Sequence, residues 1–180
     1  MNKKLILDNK DINLIIEKTA EKIFNDLKTK GEFAIVGIQT RGVELANRLR
    51  KKIETLTGRE IKNGILDITF YRDDLATRGY LPVIKETRIE FDINGITLII
   101  VDDVVFTGRT IKAALETLTG FGRPKTIKLF TLVDRGNREL PIQPDYCGFV
   151  IDSDIKDEVQ VQLRETDNVE DSVYLLKGQD

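Results

Sequence analysis

Ile99-Ile100-Val101-Asp102-Asp103-Val104-Val105-Phe106-Thr107-Gly108-Arg109-Thr110 is the stretch that decides how this chain folds. Ile96 to Val101 is apolar apart from Thr97 and follows the tight-turn pair Asn94-Gly95. That is the pattern of a strand buried on both faces. The strand ends in two adjacent carboxylates, Asp102 and Asp103, and Thr107-Gly108-Arg109-Thr110 then leads into a helix expected over Thr110–Leu118. A helix N-terminus offers unpaired N–H groups and the positive end of a dipole, which suits a phosphate. Gly108 permits close backbone approach, Thr107 and Thr110 supply hydroxyls, and Arg109 supplies charge. Two carboxylates repel a phosphate, so something must lie between them. Ribose hydroxyls fit, and so does Mg²⁺, which usually takes one or two protein carboxylates plus substrate oxygens. Separately, Thr107 reads as an ordinary helix cap and Asp102-Asp103 as a solvated strand end. Joined in this order, the features point to a ribose-phosphate site. Because strand-end residues bury little, replacing the two aspartates is expected to leave the fold intact.

The pattern extends outward in both directions. Asp8 is a candidate helix cap, followed by Ile12, Ile15, Ile16, Thr19, Ala20, Ile23, Phe24 and Leu27 at helical spacing, with Gly31 as the stop. Phe33 to Ile38 is a short buried strand. Gln39-Thr40-Arg41-Gly42 is a polar turn before a second helical stripe, Val43 to Leu56, closed by Gly58. Ile65 to Tyr71 alternates as a strand does. Residues 72–95 break the periodicity and read as an extended arm, with a weak strand signal at Arg88–Phe91. Thr126 to Asp134 is another strand. Tyr146–Ile151, Glu158–Leu163 and Ser172–Leu176 are three strand-like pieces. Alternating strands and helices imply an α/β fold with a mostly parallel central sheet flanked by helices. The strand-rich tail implies a small β subdomain beside it, from about residue 135 to 180. With no repeat or linker, residues 1–180 read as one domain. In such sheets ligands bind beyond the carboxyl ends of the strands, where loops 39–42, 102–110 and 134–138 fall.

Composition narrows the chemistry. The 180 residues contain no histidine and one cysteine, Cys147, with a net charge of -2. This excludes a histidine triad, a histidine metal site, an internal disulfide and a cysteine zinc cluster. Cys147 reads as a half-buried strand residue. The apolar stretch after Lys3-Lys4 is too short for a signal peptide and no run is long enough for a membrane helix, so the expected location is the cytoplasm, away from any membrane.

Val101 to Thr110 resembles the phosphoribosyl pyrophosphate (PRPP) motif of type I phosphoribosyltransferases. Gly37-Ile38-Gln39-Thr40-Arg41-Gly42, Asp67 to Leu75 and Leu132 to Ile142 resemble, more specifically, the PyrR family of pyrimidine operon attenuators with uracil phosphoribosyltransferase activity. The likeness runs from about Leu5 to Leu176. It implies the type I phosphoribosyltransferase fold, with a β-rich hood built from the tail and the N-terminal segment, and the conversion of PRPP and uracil to UMP and pyrophosphate with Mg²⁺. It implies that Asp102 and Asp103 hold the ribose hydroxyls, directly or through Mg²⁺. Val104, Val105, Phe106, Thr107, Gly108, Arg109 and Thr110 would wrap the 5′-phosphate, and Thr40 and Arg41 would meet the pyrophosphate. A mobile arm at 72–86 would act as a lid, with Arg72, Arg78, Lys85 and Arg88 in reach of the pyrophosphate and Arg72 counted as catalytic. Arg135 is the candidate nucleotide contact, and backbone groups near Glu158 and Val159 would read the uracil edge.

Two further readings stay open. A nucleotide-sensing RNA-binding attenuator requires a basic face, and here Glu17 and Glu21 alternate with Lys18 and Lys22 while Asn137 and Gln143 are uncharged and Arg138 remains. That pattern reads as a solvated helix face and favours the enzyme over the RNA binder. A purine phosphoribosyltransferase is disfavoured by the Asp134–Ile142 segment. The resemblance also implies a homodimer or homotetramer, with apolar surface on the first helix or the tail as the interface.

Overall fold

The structure is a computed structural model, and it describes residues 3–69 and 86–178. The elements in chain order are β1 (Lys3–Leu7), α1 (Asn9–Leu27), β2 (Phe33–Ile38), α2 (Arg41–Thr57), β3 (Lys62–Leu66), β4 (Thr97–Val105), α3 (Arg109–Leu118), β5 (Thr126–Asp134), β6 (Tyr146–Val150), β7 (Glu158–Gln162), α4 (Arg164–Asp167) and β8 (Ser172–Leu176). Five strands form a parallel sheet in the order β3-β2-β4-β5-β6. The other three form an antiparallel sheet, β1-β8-β7, the hood.

Strand periodicity sorts the core onto the two faces of the parallel sheet. Ile35, Ile99 and Val101 face a cluster built with α1, α2 and the hood. Ala34, Val36, Leu98 and Ile100 face the other, built with α3. Leu98 to Val101 are all fully buried, as the unbroken apolar run requires. Each such side chain contributes about 1.5–3 kcal/mol by leaving water. Helix α1 begins in a capping box: the Asp8 carboxylate accepts from the Asp11 amide at 2.9 Å, and Asp11 accepts from the Asp8 amide at 3.1 Å. It packs on β6 where Gly148 leaves room; a Cβ there would stand 2.6 Å from Ile15.

Several expectations need correction. Of the strand expected at Ile65–Tyr71, residues 70 and 71 lie outside the described residues; the described strand runs Lys62–Leu66, because its partner is β2 in parallel register from Ala34↔Lys62 to Ile38↔Leu66. Gly64 hides this stretch from a periodicity reading, yet its missing side chain is what fits, since a Cβ would stand 3.3 Å from Val36. The strand expected to stop at Val101 continues to Val105, because Val104 and Val105 pair with Val133 and Asp134. Asp102 and Asp103 are therefore strand residues, and Asp102 is only 5% exposed, so the assumption that they bury little fails. Tyr146–Val150, expected in the hood, instead extends the main sheet beside β5. Cys147, expected to be half-buried, is exposed on that edge strand. Residues 70–85, which carry Arg72, Arg78 and Lys85, lie outside the described residues, and Arg88 is the member of that set the structure does describe: its backbone bridges Ile65 through two 2.8 Å bonds. Among the described residues, no helix is long and apolar enough to cross a membrane.

Candidate active site

Because β2, β4 and β5 are adjacent and parallel, the loops at their carboxyl ends converge. The first contact is between residues 40–42 and β4. A Cβ on Gly42 would stand 2.4 Å from the Val101 carbonyl oxygen and 3.3 Å from Asp102 Cα, so only glycine lets the start of α2 rest on the strand there. Thr40 caps α2, and the Gln39–Thr40 peptide is cis. Arg41 is close enough to Asp103 for their charges to interact. Thus Arg41 lies near Asp103, and Gly42 rests against Asp102.

The second contact joins 105–108 to 134–142. The Arg135 amide donates to the Val105 carbonyl at 2.9 Å, and the Glu139 and Leu140 amides donate to the Thr107 carbonyl at 3.0 and 3.2 Å. Gly108 caps α3 at φ 94°, a left-handed conformation that glycine adopts without strain. The turn it makes aims the opening amides and positive dipole end of α3 at the loop. Val105 and Gly108 are buried, Val104, Phe106, Thr107 and Thr110 half-buried, and Arg109 exposed. Arg109 is paired with Glu139 at 2.5 Å.

The two aspartates differ. Asp102 accepts the Asp103 amide at 2.9 Å, and Asp103 accepts the Val104 amide at 2.9 Å. Burial pushes the Asp103 carboxyl above its ordinary range, and the Arg41 charge opposes that shift. Both carboxylates are hard oxygen donors and lie in the last four residues of β4. No group of three or more acidic, cysteine or histidine side chains able to hold a metal occurs among the described residues. A pair of carboxylates fits an ion which takes its remaining ligands from substrate and water.

Arg135 has partners that the sequence did not announce. It donates to Ser153 Oγ at 3.2 Å and to the Asp154 and Asp157 carbonyls at 3.1 and 2.6 Å, while its guanidinium stacks over Phe106 with 4.0 Å to the ring centroid. It therefore ties loop 153–157 to Phe106 in the loop after β4. Burial lowers its pKa, and Asp157 and Glu158 oppose the change. Val159 on β7 and Val104 on β4 both pack against the core cluster beneath the hood.

Arg138, counted as a remaining basic surface residue, is turned inward. It pairs with Asp134 at 2.7 Å and donates to the Ile142 and Phe106 carbonyls at 2.7 and 2.8 Å. Sequence reasoning also missed the partners of α2 in the hood. Arg41 donates Nε and Nη2 to the two oxygens of Asp167, at 3.1 and 2.7 Å. Arg48 grips Glu165 and Asp171, whose side chain is only 5% exposed. The acidic run after Arg164 was visible as charge, but nothing local linked it to residues more than a hundred positions earlier.

Comparison with known proteins agrees with this arrangement. Residues 3–166 match the family model described as a phosphoribosyl transferase domain. A protein of Elusimicrobium minutum named Bifunctional protein PyrR is 46% identical over 173 residues, covering 96% of each chain. One of the same name from Desulfosudis oleivorans is 48% identical over 171 residues and 94% of each chain. Among solved structures, a Trypanosoma cruzi hypoxanthine phosphoribosyltransferase in a ternary substrates complex superposes with a TM-score of 0.76 over 97% of this chain and 95% of its own, at 19% identity, which speaks to the fold alone. The chain belongs to the phosphoribosyltransferase family and, within it, to the PyrR proteins.

Proposed function

We propose that this protein transfers the phosphoribosyl group of PRPP to uracil, giving UMP and pyrophosphate. The observation that carries the reading is that residues 40–42 rest on β4 at Val101 and Asp102 while 134–142 bind the 105–108 loop that follows, so the three loops meet at the carboxyl end of the sheet. In this reaction the bond from the sugar C1′ to the pyrophosphate oxygen breaks, and its electron pair leaves with pyrophosphate. The uracil N1–C1′ bond forms, and N1 loses its proton. Positive charge gathers on the sugar and negative charge on the leaving group, as in glycoside cleavage.

Residues of this chain meet those demands without a nucleophilic side chain. The α3 start and residues 104–110 hold the 5′-phosphate. Asp102 and Asp103 face the ribose hydroxyls, where an ionised carboxylate also favours developing charge on the ring. Thr40 and Arg41 neutralise the departing pyrophosphate, and Arg72 is assigned to the same task. The hood, with Arg135 bracing loop 153–157 and backbone near Glu158 and Val159, excludes water and reads the base. Asp102 and Asp103 would also hold Mg²⁺, which neutralises phosphate oxygens when bound. Residues 1–180 act as one such unit in the cytoplasm. Leu14, Phe149 and Val150 are exposed and offer apolar surface for a homodimer or homotetramer, which sedimentation would read.

The test mixes PRPP and Mg²⁺ with uracil, hypoxanthine or guanine and measures pyrophosphate release. Release with uracil alone is expected; none with uracil, or faster release with a purine, refutes the assignment. A second reading, nucleotide-dependent RNA binding, is favoured by relatives at 44–48% identity that carry the name Bifunctional protein PyrR. Against it stand the inward-turned Arg138 and the pairing of Lys52 with Glu17 and of Arg109 with Glu139. A gel shift with the leader RNA of its own pyrimidine genes, with and without UMP, decides it. Tight UMP-enhanced binding with steep salt dependence establishes the regulator.

A further inference from the structure

Arg41 is the first residue of α2. A cation in the first turn opposes the helix dipole, so α2 itself does not favour this guanidinium lying along the site. What holds it comes from the hood. Asp167, the last residue of α4, takes the edge of the guanidinium formed by Nε and Nη2 with both carboxylate oxygens, at 3.1 and 2.7 Å. A guanidinium has five N–H donors in a rigid plane. Occupying that edge leaves the Nη1–Nη2 end to face an oxyanion.

Asp167 is itself fixed. Its Oδ2 accepts the Leu163 amide at 2.8 Å, and its own amide donates to the Leu163 carbonyl at 2.8 Å. Adhesion of α4 to α2 has a separate source, since Arg48 grips Glu165 and Asp171 on either side of Asp167. The Arg41 hydrogen bond holds the Asp167 carboxyl below its ordinary range, so it stays charged at neutral pH.

We propose that Asp167 is a positioning residue: through its two-point grip it presents the far end of the Arg41 guanidinium to the pyrophosphate leaving group. The proposal rests on the reading that Arg41 meets pyrophosphate. It makes the hood a contributor to leaving-group departure as well as to base recognition.

A double-mutant cycle tests it, using wild type, Asp167→Ala, Arg41→Ala and the double variant. Two quantities are read: kcat/KM for PRPP at saturating uracil, and calorimetric affinity for pyrophosphate with Mg²⁺. Asp167→Ala is expected to lower kcat/KM about ten- to a hundredfold and to weaken pyrophosphate, with KM for uracil unchanged. In the Arg41→Ala background the same substitution should cost nothing more. Where the alanine variant fails to fold, Asp167→Asn keeps the shape and the Leu163 bond while losing the charge, and is read the same way. Wild-type kinetics for the Asp167 variant, or an equal loss with and without Arg41, overturns the proposal. Wild-type kinetics for Arg41→Ala alone instead identifies the pyrophosphate reading as the faulty step and removes the proposal with it.

Discussion

Gly42→Ala tests the geometry of the site with a single methyl group. The added Cβ would stand 2.4 Å from the Val101 carbonyl oxygen, and the neighbouring atoms are backbone that cannot rotate away. An ordinary carbon–oxygen contact is about 3.4 Å, so residues 40–42 must retreat from β4 by about 1 Å. Crowding of this kind typically costs about 1–3 kcal/mol. At about 2–4 °C per kcal/mol for a chain of this size, the melting temperature falls by about 2–12 °C. The functional effect is larger, because Thr40 and Arg41 move away from Asp102 and Asp103. A displacement of about 1 Å at reacting groups costs about a hundredfold in rate. The control lies at the other end of the same helix. Gly58 caps α2 at φ 64° and a Cβ added there meets no atom within 4 Å, so Gly58→Ala costs about 1–2 kcal/mol of left-handed strain. It should leave turnover per folded molecule intact. Pyrophosphate release and thermal denaturation are measured on both variants. A folded Gly42→Ala enzyme with near-wild-type turnover, or a Gly58→Ala enzyme equally inactive, refutes the reasoning.

Other perturbations follow from the same contacts. Asp102→Asn together with Asp103→Asn should abolish turnover, and the burial of Asp102 adds a stability loss of about 1 kcal/mol that denaturation will show; measurable wild-type-like turnover contradicts the assigned role. Arg48→Ala strands the buried Asp171 carboxylate and should cost about 2–4 kcal/mol at pH 7, read from urea midpoints. Burial alone would raise the Asp171 carboxyl, but hydrogen bonds from Arg48 and the Arg164 amide outweigh it and hold the group below its ordinary value. A depressed folded pKa gives stability that is present above the unfolded value of about 3.9 and lost as pH falls below it. Wild type should therefore lose more stability than Arg48→Ala between about pH 4 and pH 2, and parallel curves refute the clasp. Gly148→Ala, whose Cβ would meet Ile15 and the Leu132 carbonyl oxygen at 2.6 Å, should destabilise the α1–β6 contact by about 1–3 kcal/mol without changing KM for PRPP.

The parallel sheet and the strand–turn–helix passage from β4 to α3 were legible because their signals are local. An unbroken apolar run from Leu98, two aspartates and a Thr-Gly-Arg-Thr turn ending at Thr110 lie within thirteen residues, and each constrains the next. The extent of β4 was not legible, since Asp102 and Asp103 look like an end while pairing with β5 carries the strand onward to Val105. The same blindness moved β3: Lys62 and Asn63 give no apolar alternation, and only β2 fixes their register. Tyr146–Val150 shows strand character but not which sheet it joins; its parallel pairing with β5, from Phe130↔Tyr146 to Asp134↔Val150, decides that in three dimensions. The Arg41–Asp167 pair has no sequence signature at all, because an ion pair across 126 positions leaves each partner looking like an ordinary surface charge.

The hood has one property that concerns how the molecule is made. Its central strand is β8, with β1 on one side and β7 on the other, and Lys3 registers opposite Leu176. During synthesis β1 emerges long before the strand it must pair with, while β2, β4 and β5 find their neighbours within far shorter stretches. Closing so long a loop carries the largest entropic charge in the fold. The parallel sheet can therefore assemble on the ribosome with the turn at 105–108 formed and the hood missing. Until β8 is released, β1 waits as an unpaired edge, and the hood closes over the parallel sheet only once β8 has joined it.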